Sequence, residues 1–579
     1  MAFFLITAEH QLADLERLQH AELVGLDIET AGPNALNPYQ DRIRLIQLAD
    51  GEDCFVIDLD RVDPMAYVRP LLESEAIVKV IHNAKFEVKH FLHHYGLEIR
   101  HLFCTRIAST LLAKGQSMRH GLAAVCQRWL GRAIDKTMQT SDWSGSLNEE
   151  QLQYAATDAE VLVDLYQVMA PALASNKLNK VSKLEFRTVV PVAAMELRGI
   201  YVDQERLAEV EAHFRKKRAE LEEAVLAELS TADALPGMNV LNLNAPDQVK
   251  QALADRGIDV PDTLDARLRP LAETYPFIGA LLDFRHIDKI LASGLRPLHE
   301  HVLPETKRVH ATYHQIASAS GRFACSNPNI QQTPREKMVR GCVRPEPGNV
   351  YIIADYSQVE LRVAAGLSGD GVMLDAYRKG GDLHRLTAAI TMGKNESDVT
   401  SEERQAAKAI NFGLIYAMGA RGLQQSARAS YGVKMDLEQA TVFRQRYFEN
   451  YRGISNWQHT SEQLGKRRRY VRTAAGRIRA YADGEEIRVT ELFNTPVQGT
   501  AAEGLKSAMC IFWERVKKEQ LDAAIVAIIH DEIIVECKQE QAEQTKKALE
   551  ESMIQGISWL IKEVPFEAEA AITDSWAGK

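Results

Sequence analysis

The stretch Val350-Tyr-Ile-Ile-Ala354 is a run of strand formers that ends on Asp355 and continues as Tyr-Ser-Gln-Val-Glu360-Leu-Arg362. About 175 residues later a second apolar run, Ala523 to Ile529, ends on His530-Asp531-Glu532. The chain then returns as Ile533 to Glu536, the pattern of a hairpin pinched around an acid. Two strand-end aspartates far apart in sequence suit a single two-metal phosphoryl-transfer site. Two unrelated turn aspartates would give the same pattern, so the segments between them carry the decision.

Those segments are rich in signals. In RQAAKAINFGLIYAMG, Arg404, Lys408, Phe412 and Tyr416 recur every four residues, which on a helix makes one stripe of two cations followed by two rings. Such a stripe can grip a triphosphate and stack on a base. It also fits an ordinary amphipathic helix with solvated charges and core rings.

Toward the start of the chain, Leu-Val-Gly-Leu-Asp27-Ile-Glu29-Thr places two acids at i and i+2 at the end of an apolar strand, on one face. Tyr154 and Asp158 in YAATDAE are neighbours on a helix face, and HNAKFE (His82 to Glu87) opens a helix carrying another acid. A lone DxE is more often a solvated strand end. Four acids and a tyrosine spread over three elements suit hard, oxygen-seeking cations, Mg²⁺ or Mn²⁺, in phosphodiester hydrolysis.

Outward from these motifs, 579 residues exceed one hydrophobic core and imply several domains. Residues 1 to about 170 alternate strand and helix patterns, from the short apolar opening MAFFLI through Ile43 to Leu48 and Ile77 to Ile81. Residues from about 185 to 300 read as helical, with a charged stretch from Glu205 to Glu228, and Leu235 to Asn244 reads as a loop at their tip. Another helical block runs from about 370 to 465, and the tail mixes helices with the hairpin. No apolar run is long enough to span a bilayer, and no charged-then-apolar leader follows Met1, so secretion is not expected. Seven scattered cysteines without CxxC spacing suggest neither a disulfide framework nor a zinc site, and a reducing cytoplasm is expected. The net charge of −10 argues against a nucleic-acid partner only on average, because binding depends on local field.

Asp27, Glu29, the HNAKF helix and Tyr154-Ala-Ala-Thr-Asp158 resemble the proofreading exonuclease superfamily that includes ribonuclease D. That resemblance implies acids that hold two metals and a tyrosine that places the attacking water. The second-motif acid of that family is usually aspartate, and here it is Glu87. Metal binding is expected to survive the extra methylene.

SASGRFACSNPNIQQTP (Ser318 to Pro334), DYSQVELR, RxxxKxxNFGxxY, TPVQGTAAEGLK and HDE, in this order, closely resemble the family A DNA polymerases over nearly the whole chain. The implied fold class is a multidomain α/β plus α+β chain, a ribonuclease H-like exonuclease followed by a right-hand polymerase. The expected divisions are 1–180 for the exonuclease and 181–579 for the polymerase. Within the latter the thumb is about 195–310, the palm about 311–370 and 470–579, and the fingers about 371–469.

By the same resemblance, Asp355 and Asp531 bind two metals, with Glu532 a lesser acid, while Asp27, Glu29, Glu87 and Asp158 bind two more beside Tyr154. His384, Arg404 and Lys408 contact the triphosphate, Phe412 packs on sugar and base, and Tyr416 guards the template position. Glu360 is the steric gate against a 2′-hydroxyl. Arg322, Asn329, Gln331, Arg477, Asn494 and Gln498 track primer and template through backbone and minor groove, where shape is read more than sequence. Primer-template DNA, dNTPs and Mg²⁺ (or Mn²⁺), two per site, are the implied partners of a monomer, and with no obvious thumb insertion no thioredoxin-type processivity partner is expected. No 5′-nuclease domain is expected within this chain.

Departures from the family are Ala417, where glycine is usual, and SGRFACS in place of TGRLSS. Phe412, in place of the tyrosine of some phage relatives, implies poor use of dideoxynucleotides. The basic run Lys466-Arg-Arg-Arg469 suits either phosphates or solvent. A single-subunit RNA polymerase shares part of the pattern, but Glu360, the TPVQGTAAEG element and the exonuclease domain speak against it. A nuclease with a DNA-binding platform, or a non-enzymatic scaffold, would not need Asp355, Lys408 and Asp531 together.

Overall fold

The computed structural model describes residues 3–34, 36–229 and 241–578; residues 235–240 of the expected Leu235 to Asn244 loop lie outside that range. The first layer is a six-stranded sheet in the order Phe3–Ile6, Cys54–Asp58, Arg42–Ala49, Leu23–Ala31, Val78–Ile81, Leu102–Cys104. Leu23–Ala31 runs antiparallel to Arg42–Ala49 and parallel to Val78–Ile81. Asp27 and Glu29 therefore lie inside the strand, opposite Gln47 and Leu45, and not at its end as the apolar run suggested. The strand alternates: Leu26 and Ile28 enter the core, while Asp27 and Glu29 face a cleft.

Helix Glu149–Ser175 lies across this strand, started by Asn148, whose side chain accepts from the Gln151 amide at 2.8 Å. The approach demands glycine at position 25, because a Cβ there would lie 2.4 Å from the Ala159 carbonyl oxygen. Helix and strand thus close far enough to bring Asp158 to the acids of the strand.

Helix Asn179–Arg198 joins the two halves. Phe186, Val189 and Val190 belong to the core of the first sheet, while Val192 and Met195 belong to the core of the second half. The 180/181 division falls inside the first turn of this helix, whose first half packs into the core of the first sheet. Gln204–Leu229 and Pro276–Lys289 pack on each other around a small separate core that includes Val225, Leu268 and Phe284, consistent with the helical reading there.

The second sheet is fully antiparallel, in the order Ala523–Ile529, Glu532–Lys538, Asn349–Tyr356, Ala568–Thr573. Helix Ala542–Ser558 covers it and packs on the long helix Val489–Lys518. Its central strands are apolar on both faces (Ile352, Ile353, Ala354, Ile533, Ile534, Val535), as burial between layers requires. Short helices from Gly371 to Arg468 form the block beside it.

Candidate active sites

In the second sheet, Asp355 sits near the end of its strand, opposite Glu532 on one side and Glu569 on the other. His530 and Asp531 alone make the turn between Ile529 and Glu532, with His530 in the left-handed region at φ 61°. Two-residue hairpins need such a backbone, and this one delivers Asp531 to the sheet end that carries Asp355. Asp531 is exposed at the tip, yet the protein mass around the cleft and the charge of Asp355 push its carboxyl above the ordinary range. Glu532 turns away and accepts from the Trp576 indole at 3.1 Å.

A cavity of about 460 Å³ opens in front of Asp531 and is lined by Arg322, Glu360, His384, Arg404, Lys408 and Phe412. Sequence spacing brought these residues to one helix face or to separate motifs; the fold brings them to one wall. Helix Ser401–Leu414 presents Arg404, Lys408 and Phe412, begun by a Thr400–Glu403 capping box. Tyr416 lies two residues beyond that helix, so the four-residue stripe ends at Phe412. The next residue, Ala417, has φ 58°. The turn nonetheless returns the Tyr416 hydroxyl to Glu360, to which Arg322 is also ion-paired. Glu360 is thereby fixed at the cavity floor.

Arg404 rests on Asp382 at 2.5 Å, and Asp382 also caps the helix carrying His384. His384 is buried; its Nδ1 meets the Asn411 amide at 3.0 Å, and burial drops its pKa to about 4, so the ring is neutral at neutral pH.

The residues carried over as DNA contacts scatter more. Arg322 is exposed at the cavity and Asn329 is exposed, and Gln331 donates to the Ile528 carbonyl at 3.2 Å, tying its loop to the hairpin. Asn494 and Gln498 are half-buried on the long helix, and the Asn494 Oδ1 has no protein partner. Arg477 is only 5% exposed. Its guanidinium is ion-paired with Glu185 and Glu503 and lies where a Cβ on Gly321 would be, so it props the loop carrying Arg322. Lys466 of the basic run pairs with Glu462 at 2.5 Å on its own helix.

In the first half, oxygens of Asp27, Glu29 and Asp158 all lie within 4.8 Å of one another, in a cleft of about 1210 Å³ that Glu87 and Tyr154 also line. Loss of water and mutual repulsion hold Asp27, Glu29 and Glu87 well above the ordinary carboxylate range; Asp158 shares the direction. Glu87 is 2% exposed, and its Oε2 and the Asp158 Oδ1 are buried without a protein hydrogen bond. Crowded acids with unsatisfied oxygens fit divalent cations. Glu87 stands next to this cluster and outside the tight three-acid group.

Sequence reasoning missed Lys136, whose ammonium donates to Asp158 Oδ2 and, at 3.1 Å, to the Tyr154 hydroxyl. It also missed Trp143, buried beside the Tyr154 ring. Both belong to the irregular segment before the Tyr154 helix, where periodicity carries no signal. The two cations of that segment, Arg132 and Lys136, carried no pattern that would single out either one.

The family model for DNA polymerase family A matches residues 204–578, and that for a 3′–5′ exonuclease matches residues 3–174. The chain is 36% identical to DNA polymerase I of Aquifex aeolicus (strain VF5), with 100% of both chains covered. It is 29% identical to DNA polymerase I of Pseudomonas aeruginosa, covering 97% of this chain and 64% of that protein. It is 33% identical to the thermostable DNA polymerase I of Thermus aquaticus over 66% of this chain and 46% of that one. Among solved structures, the POL domain of Pol1 from M. smegmatis, in complex with DNA primer-template and dNTP, superposes with a TM-score of 0.85 at 24% identity, covering 99% of each chain, and shares the fold. The chain belongs to DNA polymerase family A, with a 3′–5′ exonuclease domain ahead of the polymerase domain.

Proposed function

We infer that this chain synthesises DNA on a template and proofreads its own product by 3′–5′ excision, in replication or repair. The observation that carries the reading is the single wall on which Asp531, Glu360, His384, Arg404, Lys408 and Phe412 meet. In synthesis, the primer 3′-oxygen bonds to the α-phosphorus of a dNTP, the bond to the β-phosphate breaks, pyrophosphate leaves, and the hydroxyl proton departs. Asp355 and Asp531 would hold divalent cations, Mg²⁺ or Mn²⁺ by ligand hardness, which supply Lewis-acid stabilisation of the reacting oxygens.

The remaining roles fall to side chains already described. Arg404 and Lys408, with neutral His384, grip the triphosphate, and Arg404 exchanges Asp382 for phosphate as the nucleotide enters. Phe412 packs on sugar and base. Glu360, pinned by Arg322 and Tyr416, fills the space a 2′-hydroxyl would need. Arg322, Asn329, Gln331, Asn494 and Gln498 face primer and template, and Arg477 positions Arg322 from behind. In the first half, Asp27, Glu29, Glu87 and Asp158 would hold the cations for hydrolysis, with Tyr154 placing water. We assign the exonuclease to 1–180, and thumb, palm and fingers to the divisions expected from sequence. A monomer in a reducing cytoplasm is the setting, in keeping with seven unpaired cysteines among the described residues.

Primer extension with Mg²⁺ on matched and 3′-mismatched primers tests this reading, comparing the parent with Asp355→Ala and Asp27→Ala. Asp355→Ala is expected to lose extension by on the order of 10³-fold while trimming persists, and Asp27→Ala the reverse. A parent that degrades primers and never extends them would overturn the synthetic assignment.

A further inference from the structure

Lys136 belongs to the irregular segment between the first-half helices, yet its ammonium is inside the excision cleft. It donates to Asp158 Oδ2 and to the Tyr154 hydroxyl at 3.1 Å, and stands 4.9 Å from the centre of the Tyr154 ring. Its charge reaches Asp27 and Glu29 as well as Asp158. Arg106 and Arg119 also line the cleft, but among the described residues Arg106 donates to the Asn83 side chain and neither arginine pairs with a carboxylate of the cluster. One tethered cation therefore serves three clustered acids, with Glu87 a fourth beside them, which leaves most of the negative charge for other cations.

Of the two partners Lys136 holds, Asp158 is the one it would give up once the cluster is loaded. Asp158 and its neighbours, once they held divalent ions, would be neutralised, and Lys136 would lose its reason to lie against Asp158. The ammonium is then a hydrogen-bond donor of full charge beside Tyr154, in a cleft that must receive a phosphodiester carrying negative charge. We propose that Lys136 is a catalytic residue of excision that changes partner, lying on Asp158 in the metal-free site and on a non-bridging oxygen of the terminal phosphodiester in the loaded one.

In that step the water oxygen bonds to phosphorus as the bond from phosphorus to the 3′-oxygen breaks. One water proton ends on the released 3′-hydroxyl, the other leaves, and a nucleoside 5′-monophosphate departs. Lys136 keeps its own protons throughout and contributes charge alone. Nothing beyond water and the strand is consumed.

This proposal rests on the excision reading, and its test has an arm that does not need excision. Lys136→Met and Lys136→Arg are made in the full chain, and again in an Asp355→Ala background for Mn²⁺ binding by electron paramagnetic resonance. With the tethered competitor gone, Lys136→Met is expected to bind Mn²⁺ about tenfold tighter, while Lys136→Arg stays near the parent. Excision of a single-stranded oligonucleotide is expected to fall about 10²-fold in kcat in Lys136→Met and to recover substantially in Lys136→Arg, with primer extension unchanged. Unchanged Mn²⁺ affinity in Lys136→Met overturns the displacement, whether or not the parent excises. Tighter Mn²⁺ binding with undiminished kcat overturns the contact with phosphate. A melting temperature lowered equally in both variants, with equal losses of excision, overturns it in favour of a packing role.

Discussion

Ala417 has a left-handed backbone, φ 58°, immediately after the tyrosine that pins Glu360. A methyl group there crowds the following carbonyl, at about 1–2 kcal/mol for a residue with a Cβ, whereas glycine is indifferent to the sign of φ. Glycine also gives the unfolded chain more freedom, which offsets part of the gain. Ala417→Gly is expected to stabilise the chain by about 0.5–1 kcal/mol, read as a higher urea midpoint at unchanged slope. His384 offers a second residue-scale test. Its folded pKa of about 4 lies below the ordinary histidine value of about 6.5 that the unfolded chain keeps. The unfolded chain therefore takes up a proton in that interval that the buried ring refuses. Its contribution is complete above about 6.5 and is lost as pH falls toward 4. Thermal midpoints from pH 7 to pH 4 should fall less steeply in His384→Gln than in the parent. Some slope should remain, because burial lowers His82 and His94 in the same direction.

Elements connect the two sites through groups that touch neither. Lys85 opens the helix that carries Glu87, and its ammonium donates to Glu196 Oε1 at 2.5 Å and to the Tyr313 carbonyl at 2.6 Å. Glu196 also accepts from the Tyr313 amide at 2.6 Å, and the Tyr313 hydroxyl accepts from the Ile528 amide at 3.1 Å, in the strand that leads to Asp531. Lys85→Met removes the main partner of a carboxylate that is 1% exposed; Lys89, at 3.3 Å, shares the load. The cost is expected at roughly 3 kcal/mol, the lower end for a broken buried pair, seen as a reduced denaturant midpoint. Excision should fall with it, and extension should fall less. None of this chain was legible in the sequence. Strand runs, the acidic pair at i and i+2 and the helix stripe are local patterns; they put Asp355, Lys408 and Asp531 where the fold has them, and put Asp27 and Glu29 on the right strand though at its end and not its middle. Lys85, Glu196 and Tyr313 are 111 and 228 positions apart from Lys85 onward, and pairing over such distances leaves no periodicity to read. Tyr416 escaped its helix for the opposite reason: spacing of four continues on paper past the point where the backbone turns.

At the scale of the molecule, a net charge of −10 coexists with a groove bearing Arg322, Arg404 and Lys408. Acids gathered in the two clefts account for part of the excess, so the average says little about the groove. Primer-template affinity should still weaken by at least ~10-fold between 50 and 200 mM salt, as counterion release demands, and a fluorescence-anisotropy titration would reveal it. Opposite and equal behaviour, binding that strengthens with salt, would mean that the acidic surface governs the encounter. The helix Asn179–Arg198 gives its Phe186, Val189 and Val190 to one core and its Val192 and Met195 to the other. A protease that nicks the turn ahead of it, around residues 176–178, would therefore cut the chain without parting it. The two fragments should travel as one particle through a sizing column and separate only in denaturant, so the connection between copying and correcting is held by interlocked side chains more than by the peptide bond that joins them.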